Sequence, residues 1–272
     1  MGSKTKIDWA DSTWNPVTGC LHGCEYCYAR GIARRFGGHC FQLPPTGPTP
    51  GKTDRRIEPL KIHELDKPMH RKEDMGDGMV RVGPIQPYPF DFEPTLHRYA
   101  LEKPQHWKKP RTIFVCSMAD LFGEWVPDEW IMDVFDACAA APQHRYLFLT
   151  KNSRRIMKLH NSDVMPRTID CWWGVSTPNK GDSYNIGLKS FVSIEPIMED
   201  FTGASQCHAG WVIIGAETGR RKGKVIPEKD WIMPFVKSCE DCGTPVFMKE
   251  SLREIMGPDF RQEFPWGGKT NV

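Results

Sequence analysis

The chain has 272 residues, of which 39% are hydrophobic, 26% charged and 11% aromatic, with ten Trp among them. That composition supplies a substantial core and excludes disorder as the dominant state, and the length sits near the roughly 250 residues of one α/β barrel. Thirty-six Lys and Arg against 34 Asp and Glu leave a net charge of +2, which excludes polyanion binding through overall charge and confines any nucleic-acid contact to a local patch.

The N-terminal residues have no apolar signal-peptide core and no run approaches the ~18 apolar residues of a membrane span, so a cytoplasmic protein is expected. Gly (24) and Pro (23) are numerous and predict many defined turns, where function usually resides. The first strand is expected around Trp14 to Thr18. It leads into Cys20-Leu21-His22-Gly23-Cys24-Glu25-Tyr26-Cys27, followed by a helix over Tyr28 to Phe36. From Gly37 to Pro110 the chain opens with Pro-rich sequence and shows little periodicity, which reads as a long irregular insertion after the first β/α unit.

Six short apolar runs follow, at Thr112–Cys116, Tyr146–Thr150, Trp172–Ser176, Phe191–Ile194, Trp211–Gly215 and Val246–Met248. Near-continuous hydrophobicity, rather than alternation, is what parallel strands covered on both faces require. Between the first two runs, Trp130, Ile131, Val134, Phe135 and Cys138 recur at helical spacing over Asp128 to Ala141,. The expected fold class is therefore α/β, a partial or full (β/α) barrel of about seven units, with residues 1–272 as one domain and 37–110 as its excursion. Polar residues stand at or past the strand ends: Ser117 and Asp120, Thr150 and Lys151, Ser176 and Asn179, Glu195, Glu217, and Lys249 with Glu250. In such barrels these positions converge on one mouth. Taken singly, each is equally well read as a helix cap or a solvated loop residue.

Ten cysteines without a secretion signal are expected to be reduced, either bound to metal or buried as small hydrophobes. Cys20, Cys24 and Cys27 carry the sharpest signal, because three closely spaced thiolates hold three irons of a 4Fe-4S cube and leave the fourth open to an exchangeable ligand. Gly19 and Gly23 let the backbone turn around a bulky cluster, and Tyr26 offers an aromatic wall. The competing metal is zinc in a Cys3His set with His22. The single residue between His22 and Cys24 makes that closure difficult, and zinc ligands normally come from two arms. Cys239 and Cys242 read as a reduced helix-end pair. Cys40, Cys116, Cys138, Cys171 and Cys207 read as buried thiols.

The cysteine spacing, with an aromatic residue before the third Cys, resembles the radical S-adenosylmethionine (SAM) superfamily motif. The blocks around Trp14–Cys20, Phe92–His97, Trp107–Arg111, Ser117–Gly123, Leu149–Lys151, Ser193–Pro196 and Ile214–Gly219 resemble a phage-associated, mostly uncharacterised three-cysteine family of such proteins. The resemblance implies a barrel of the radical SAM type with Cys20, Cys24 and Cys27 as iron ligands. SAM would chelate the open iron, and an electron from a donor such as flavodoxin or ferredoxin would cleave it to a 5'-deoxyadenosyl radical. Many members hold the SAM amino group with Gly-Gly-Glu after the second strand. Here Ser117-Met118-Ala119-Asp120 stands instead, so Ser117 and Asp120 become the cofactor-binding expectation, with Tyr26, Ser176 and Asn179 beside them.

Glu195, Glu217, Lys151 and Lys249 are the expected catalytic groups. Two basic clusters suggest nucleic-acid contact: Trp107 with Lys108 and Lys109, which pairs stacking with charge, and Arg220, Arg221, Lys222 and Lys224 on one loop. A solvated charged loop is the bland reading of either. The function expected is radical modification or rearrangement of a nucleobase, as in phage-type thymidine hypermodification of DNA, with the class (isomerase, lyase or transferase) open. The rival readings are a repair enzyme similar to the DNA photoproduct lyases and a non-catalytic nucleic-acid-binding protein with a structural metal.

Overall fold

The apolar runs become buried strands, as segments covered on both faces should. The structure, a computed structural model, describes residues 5–37, 61–74, 80–178, 180, 189–204, 209–219 and 221–267. Asn179, Arg220, Cys40 and Cys207 lie outside the described residues, as does most of the Pro-rich entry to the excursion. In chain order the main elements are β1 (Ser12–Trp14), β2 (Val17–Thr18), α1 (Tyr28–Phe36), β3 (His63–Leu65), β4 (His70–Asp74), β5 (Val80–Ile85), β6 (Thr95–His97) and β7 (Thr112–Val115). There follow α2 (Asp128–Ala139), β8 (Arg145–Thr150), α3 (Ser153–Asn161), β9 (Asp170–Ser176), β10 (Ser190–Ile194), β11 (Val212–Ile214), α4 (Lys229–Asp241) and β12 (Val246–Met248).

Seven strands form one sheet in the order β1-β7-β8-β9-β10-β11-β12, and every pairing is parallel. Each crossover advances by one strand in the same direction, as in a barrel. The end strands β1 and β12 do not pair with each other, so the barrel is partial. Its curvature is visible in one side chain: the Trp9 ring lies 4.6 Å from Phe114 on β7 and 6.2 Å from Phe191 on β10. On a flat sheet strands three apart are separated by about 14 Å. A single indole reaches both only from inside a curled sheet.

The open seam is managed at both edges. Met248 donates its N–H to Arg261 O, and Glu263 donates to Val246 O, so the C-terminal segment covers the free edge of β12. From the other side, Asp8 accepts the Glu250 N–H at 3.0 Å and Asp11 exchanges hydrogen bonds with Thr112. Residues 8–11 thus run from the end of β12 towards the start of β7 and carry Trp9 between them.

Strand alternation separates two faces. Outward, Tyr146, Phe148 and Trp173 pack with α2, while Val192, Ile194, Ile214 and Met248 pack with α4. Inward, Phe114, Leu147, Trp172, Phe191, Trp211 and Phe247 close over Trp9. Gly174 is required there, because the Phe191 ring lies where a Cβ would stand.

The first strand differs from expectation. Trp14 to Thr18 splits at Asn15-Pro16, where proline offers no N–H and restricts the residue before it. β1 joins the barrel, and β2 joins a second sheet of order β2-β6-β3. The excursion is also less irregular than its sequence: it contributes β3, β6 and the hairpin β4-β5.

Candidate active site

The cysteine loop is seated by that second sheet. Gly19 has φ +89°, and a Cβ there would run into the Glu93 carbonyl, so only glycine permits this approach,. Its N–H donates to Met118 O at 2.9 Å and that of Cys20 to Phe92 O at 3.2 Å, tying the loop to the end of β7 and to the turn before β6. Beneath it, the Thr18 hydroxyl lies 2.9 Å from Nε2 of His97, a ring only 3% exposed. Burial pushes the His97 pKa down to about 4. Gly23, at φ +72°, turns the loop back, and Cys27 caps α1, its Sγ accepting the Arg30 N–H at 3.4 Å.

Cys20, Cys24 and Cys27 are free thiols, each half-buried. Burial pushes the Cys20 thiol up to about 12, so a metal bound there has to displace its proton,. Three soft donors on one glycine-flanked loop suit iron-sulfur chemistry. Among the described residues no three His, Cys, Asp or Glu groups stand together at metal-holding distance. His22 is turned elsewhere: Nε2 lies 2.6 Å from Asp120 Oδ2 and its ring meets Trp125 edge-on at 4.9 Å. That commitment counts against the Cys3His zinc set.

Asp120 proves to be a clasp. Oδ1 accepts from the Phe122 N–H (3.0 Å) and the Thr150 hydroxyl (2.6 Å), while Oδ2 accepts from the Lys151 N–H (2.9 Å) beside His22. A carboxylate has about four lone-pair sites, and all four are used. The expectation that Asp120 receives the SAM ammonium therefore gives way to a positioning role that joins the cysteine loop to the ends of β7 and β8. Ser117 donates to Asn15 Oδ1 at 3.1 Å, and its carbonyl accepts the Tyr28 hydroxyl at 2.8 Å. Asn15 Oδ1 also accepts the Met118 N–H. The left-handed φ of Cys116, +57°, turns the chain out of β7 just before this knot.

Register places the remaining strand-end groups on the inward face, above the aromatic layer. Ser176 is the register partner of Ser193, which stands two residues beyond inward Phe191. Lys151 extends from β8 to donate to Ser176 Oγ at 3.3 Å and to Tyr26 Oη at 3.0 Å. One layer higher, Lys249 pairs with Glu195, and its stem lies over Gly215, where a Cβ would meet Cδ at 3.0 Å. Ser193 is 1% exposed and its hydroxyl has no partner. Glu217 is buried and accepts two hydrogen bonds from Arg221, at 2.6 and 2.7 Å, which hold its carboxyl below the usual range. Arg221 also stands 3.9 Å from Glu25 on the cysteine loop. The loop is thus linked to the ends of β7, β8 and β11.

The basic clusters fare differently. Trp107, Lys108 and Lys109 precede β7, at the end of the sheet opposite the cysteine loop. The Trp107 ring packs on the core beneath the Arg111 guanidinium, 4.8 Å away. It is no open stacking plate at the mouth. Arg221 is a strut to Glu217, which leaves Lys222 and Lys224 exposed on that loop among the described residues. Cys239 is a free buried thiol and Cys242 is disulfide-bonded, so the two do not form the reduced pair the spacing suggested. Asn15 and His97 were missed as site-building residues, and the sequence offers His22 only as a zinc ligand rather than as the partner of Asp120. The only advance signal was the position of Asn15 and His22 beside the cysteines.

A family model described as "Protein of unknown function (DUF5131)" matches residues 4–253. The chain belongs to this family. Among curated proteins nothing matches. Among solved structures, the chain is similar to a spore photoproduct lyase double mutant with bound AdoMet and a dinucleoside spore photoproduct, at 11% identity and a TM-score of 0.43, over 82% of this chain and 60% of that one. The chain therefore spans less than two thirds of that structure's length, and so distant a likeness transfers no activity.

Proposed function

We propose that this protein is a radical SAM enzyme whose substrate is a nucleobase, free or within nucleic acid, modified or rearranged by radical chemistry. One observation carries the reading: three free thiols on a single glycine-flanked loop are seated at the C-terminal strand ends of an α/β partial barrel and tied to three of its strands. Cys20, Cys24 and Cys27 would hold a 4Fe-4S cluster, which when bound supplies the electron that cleaves SAM. An external donor such as flavodoxin or ferredoxin supplies that electron in turn.

The chain's own residues position and enclose. Asp120 and His22 set the loop against β7 and β8, and Tyr26 with Lys151 closes its far side. Ser117, Ser176 and the Lys151 ammonium offer polar contacts to SAM. The Glu195–Lys249 pair lies one layer nearer the mouth, where it can orient a substrate and hold a proton at Nζ or Oε1,. Below them the aromatic layer keeps water out of the barrel floor.

Anaerobic reconstitution with iron and sulfide tests the reading. The expected product is brown, holds about four irons, and on reduction with SAM releases 5'-deoxyadenosine. Cys20→Ala, Cys24→Ala and Cys27→Ala should each abolish both. Stoichiometric zinc with no iron uptake would overturn the assignment.

A further inference from the structure

Eleven large hydrophobic side chains are exposed among the described residues, and eight of them lie between Leu21 and Ile85. The barrel itself contributes few, so the surplus marks one surface rather than general untidiness. On α1, Tyr28, Ile32 and Phe36 recur every four residues, which places them on one helical face,. Tyr28 is 52% and Phe36 50% exposed. Tyr28 is nevertheless fixed, because its hydroxyl donates to the Ser117 carbonyl. The ring is therefore held in place on a half-exposed residue.

The hairpin β4-β5 continues this surface. Gln86, just past β5, donates its side-chain amide to Phe36 O at 2.9 Å and its N–H to Met69 O at 2.8 Å, and Gly37 bridges to Tyr88. The end of α1 therefore abuts the base of the hairpin, where Met69, Val82 (70%) and Ile85 (52%) are exposed. Interleaved with these groups are Arg34, Arg35, Arg71 and Arg81, all exposed. None of the four is ion-paired with a carboxylate whose side chain is described, Glu73 is the cross-strand register partner of Arg81, and α1 carries no acidic residue. Elsewhere guanidiniums such as Arg98, Arg145, Arg155 and Arg221 are ion-paired. Unpaired guanidiniums among fixed, exposed rings are the combination that tracks a phosphate backbone and stacks bases. Cys27 is the N-cap of α1, so the surface starts at the cysteine loop.

We infer that the outer face of α1 and the β4-β5 hairpin bind nucleic acid, with a single-stranded stretch lying on Tyr28 and Phe36 and leading to the mouth. This deepens the proposed function, resting on it for the nucleic-acid class of substrate, and replaces the two basic clusters as the binding surface.

The test is fluorescence anisotropy with a labelled 20-nucleotide single strand and the matching duplex, over a series of salt concentrations. Wild-type protein should bind with a log–log salt slope that falls in magnitude by about 3 when Arg34, Arg35, Arg71 and Arg81 are all changed to Ser, since each phosphate neutralised contributes roughly 0.7 on a single strand. The corresponding Arg→Lys variant should keep most of the slope, which separates charge loss from misfolding. Phe36→Ser should weaken single-strand binding roughly 5- to 150-fold and duplex binding less. The inference is overturned if wild type does not bind, if Lys222→Ser/Lys224→Ser abolishes binding while the four-Ser variant retains it, or if Phe36→Ser only dissolves a self-associated dimer. SAM cleavage without polymer, measured on the same preparations, keeps the two proposals apart: cleavage without binding sinks only this inference, and binding without iron or cleavage sinks only the radical SAM reading.

Discussion

The lower and upper halves of the barrel interior are built from the same strands and do opposite work. On β8 the inward sequence is Leu147, Leu149, Lys151; on β9 it is Trp172, Gly174, Ser176; on β10 it is Phe191, Ser193, Glu195. Below, rings meet rings and Trp9 fills the curl. Above, hydroxyls and ion pairs face one another. Four residues along a strand, about 13 Å, separate a dry floor from a polar mouth. A strand's alternation chooses the face, and the step from one inward layer to the next chooses between stability and chemistry.

That contrast is open to test. The largest effect should come from the floor: Trp211 is fully buried and its indole N–H donates to Glu263 O at 2.8 Å, so Trp211→Ala should cost about 3 to 5 kcal/mol in urea unfolding. Cys24→Ala, at a half-exposed loop position, should leave the urea midpoint nearly unchanged while removing iron. Equal destabilisation by both would erase the division.

Next comes His97, which the second sheet holds neutral with a pKa near 4 against an ordinary value of about 6.5. Between those values the unfolded chain binds the proton and the folded one does not. Stability should therefore fall as pH drops from about 6.5 to about 4, by about 3 kcal/mol in all. His97→Gln should flatten that slope, and an unchanged slope would place the titration elsewhere.

Asp120→Asn should cost roughly 1.5 to 3 kcal/mol, since it weakens charge-assisted bonds and cannot accept at all four sites. Iron loading should fall with it while secondary structure by circular dichroism stays intact. If iron loading is untouched, the clasp does not position the cysteine loop. The smallest effect belongs to Ser193, whose buried hydroxyl is unpartnered. Ser193→Ala should be neutral or stabilising by up to about 1 kcal/mol, and a clear loss of stability would mean that the hydroxyl has a partner in solution.

Much of this was written locally in the sequence. Buried parallel strands need continuous apolar runs, so the six runs anticipated β7 to β12. The helical spacing of Trp130, Ile131, Val134, Phe135 and Cys138 anticipated α2. Chemistry packed into eight consecutive residues marked the cysteine loop, and Gly19 and Gly23 announced its turns. What tertiary structure alone decided was the pairing of groups far apart in the chain. His22 meets Asp120 across 98 residues, Lys151 meets Tyr26 across 125, and Glu250 meets Asp8 across 242. The same folding used Arg221 as a strut, sent Trp107 to the far end of the sheet and left Tyr28, Ile32 and Phe36 facing outward. Periodicity reports which side of its own element a residue takes, because that depends on neighbours a few positions away. Which partner satisfies a buried carboxylate or an exposed guanidinium depends on how the sheet curls and where the loops land, and only the assembled fold determines that.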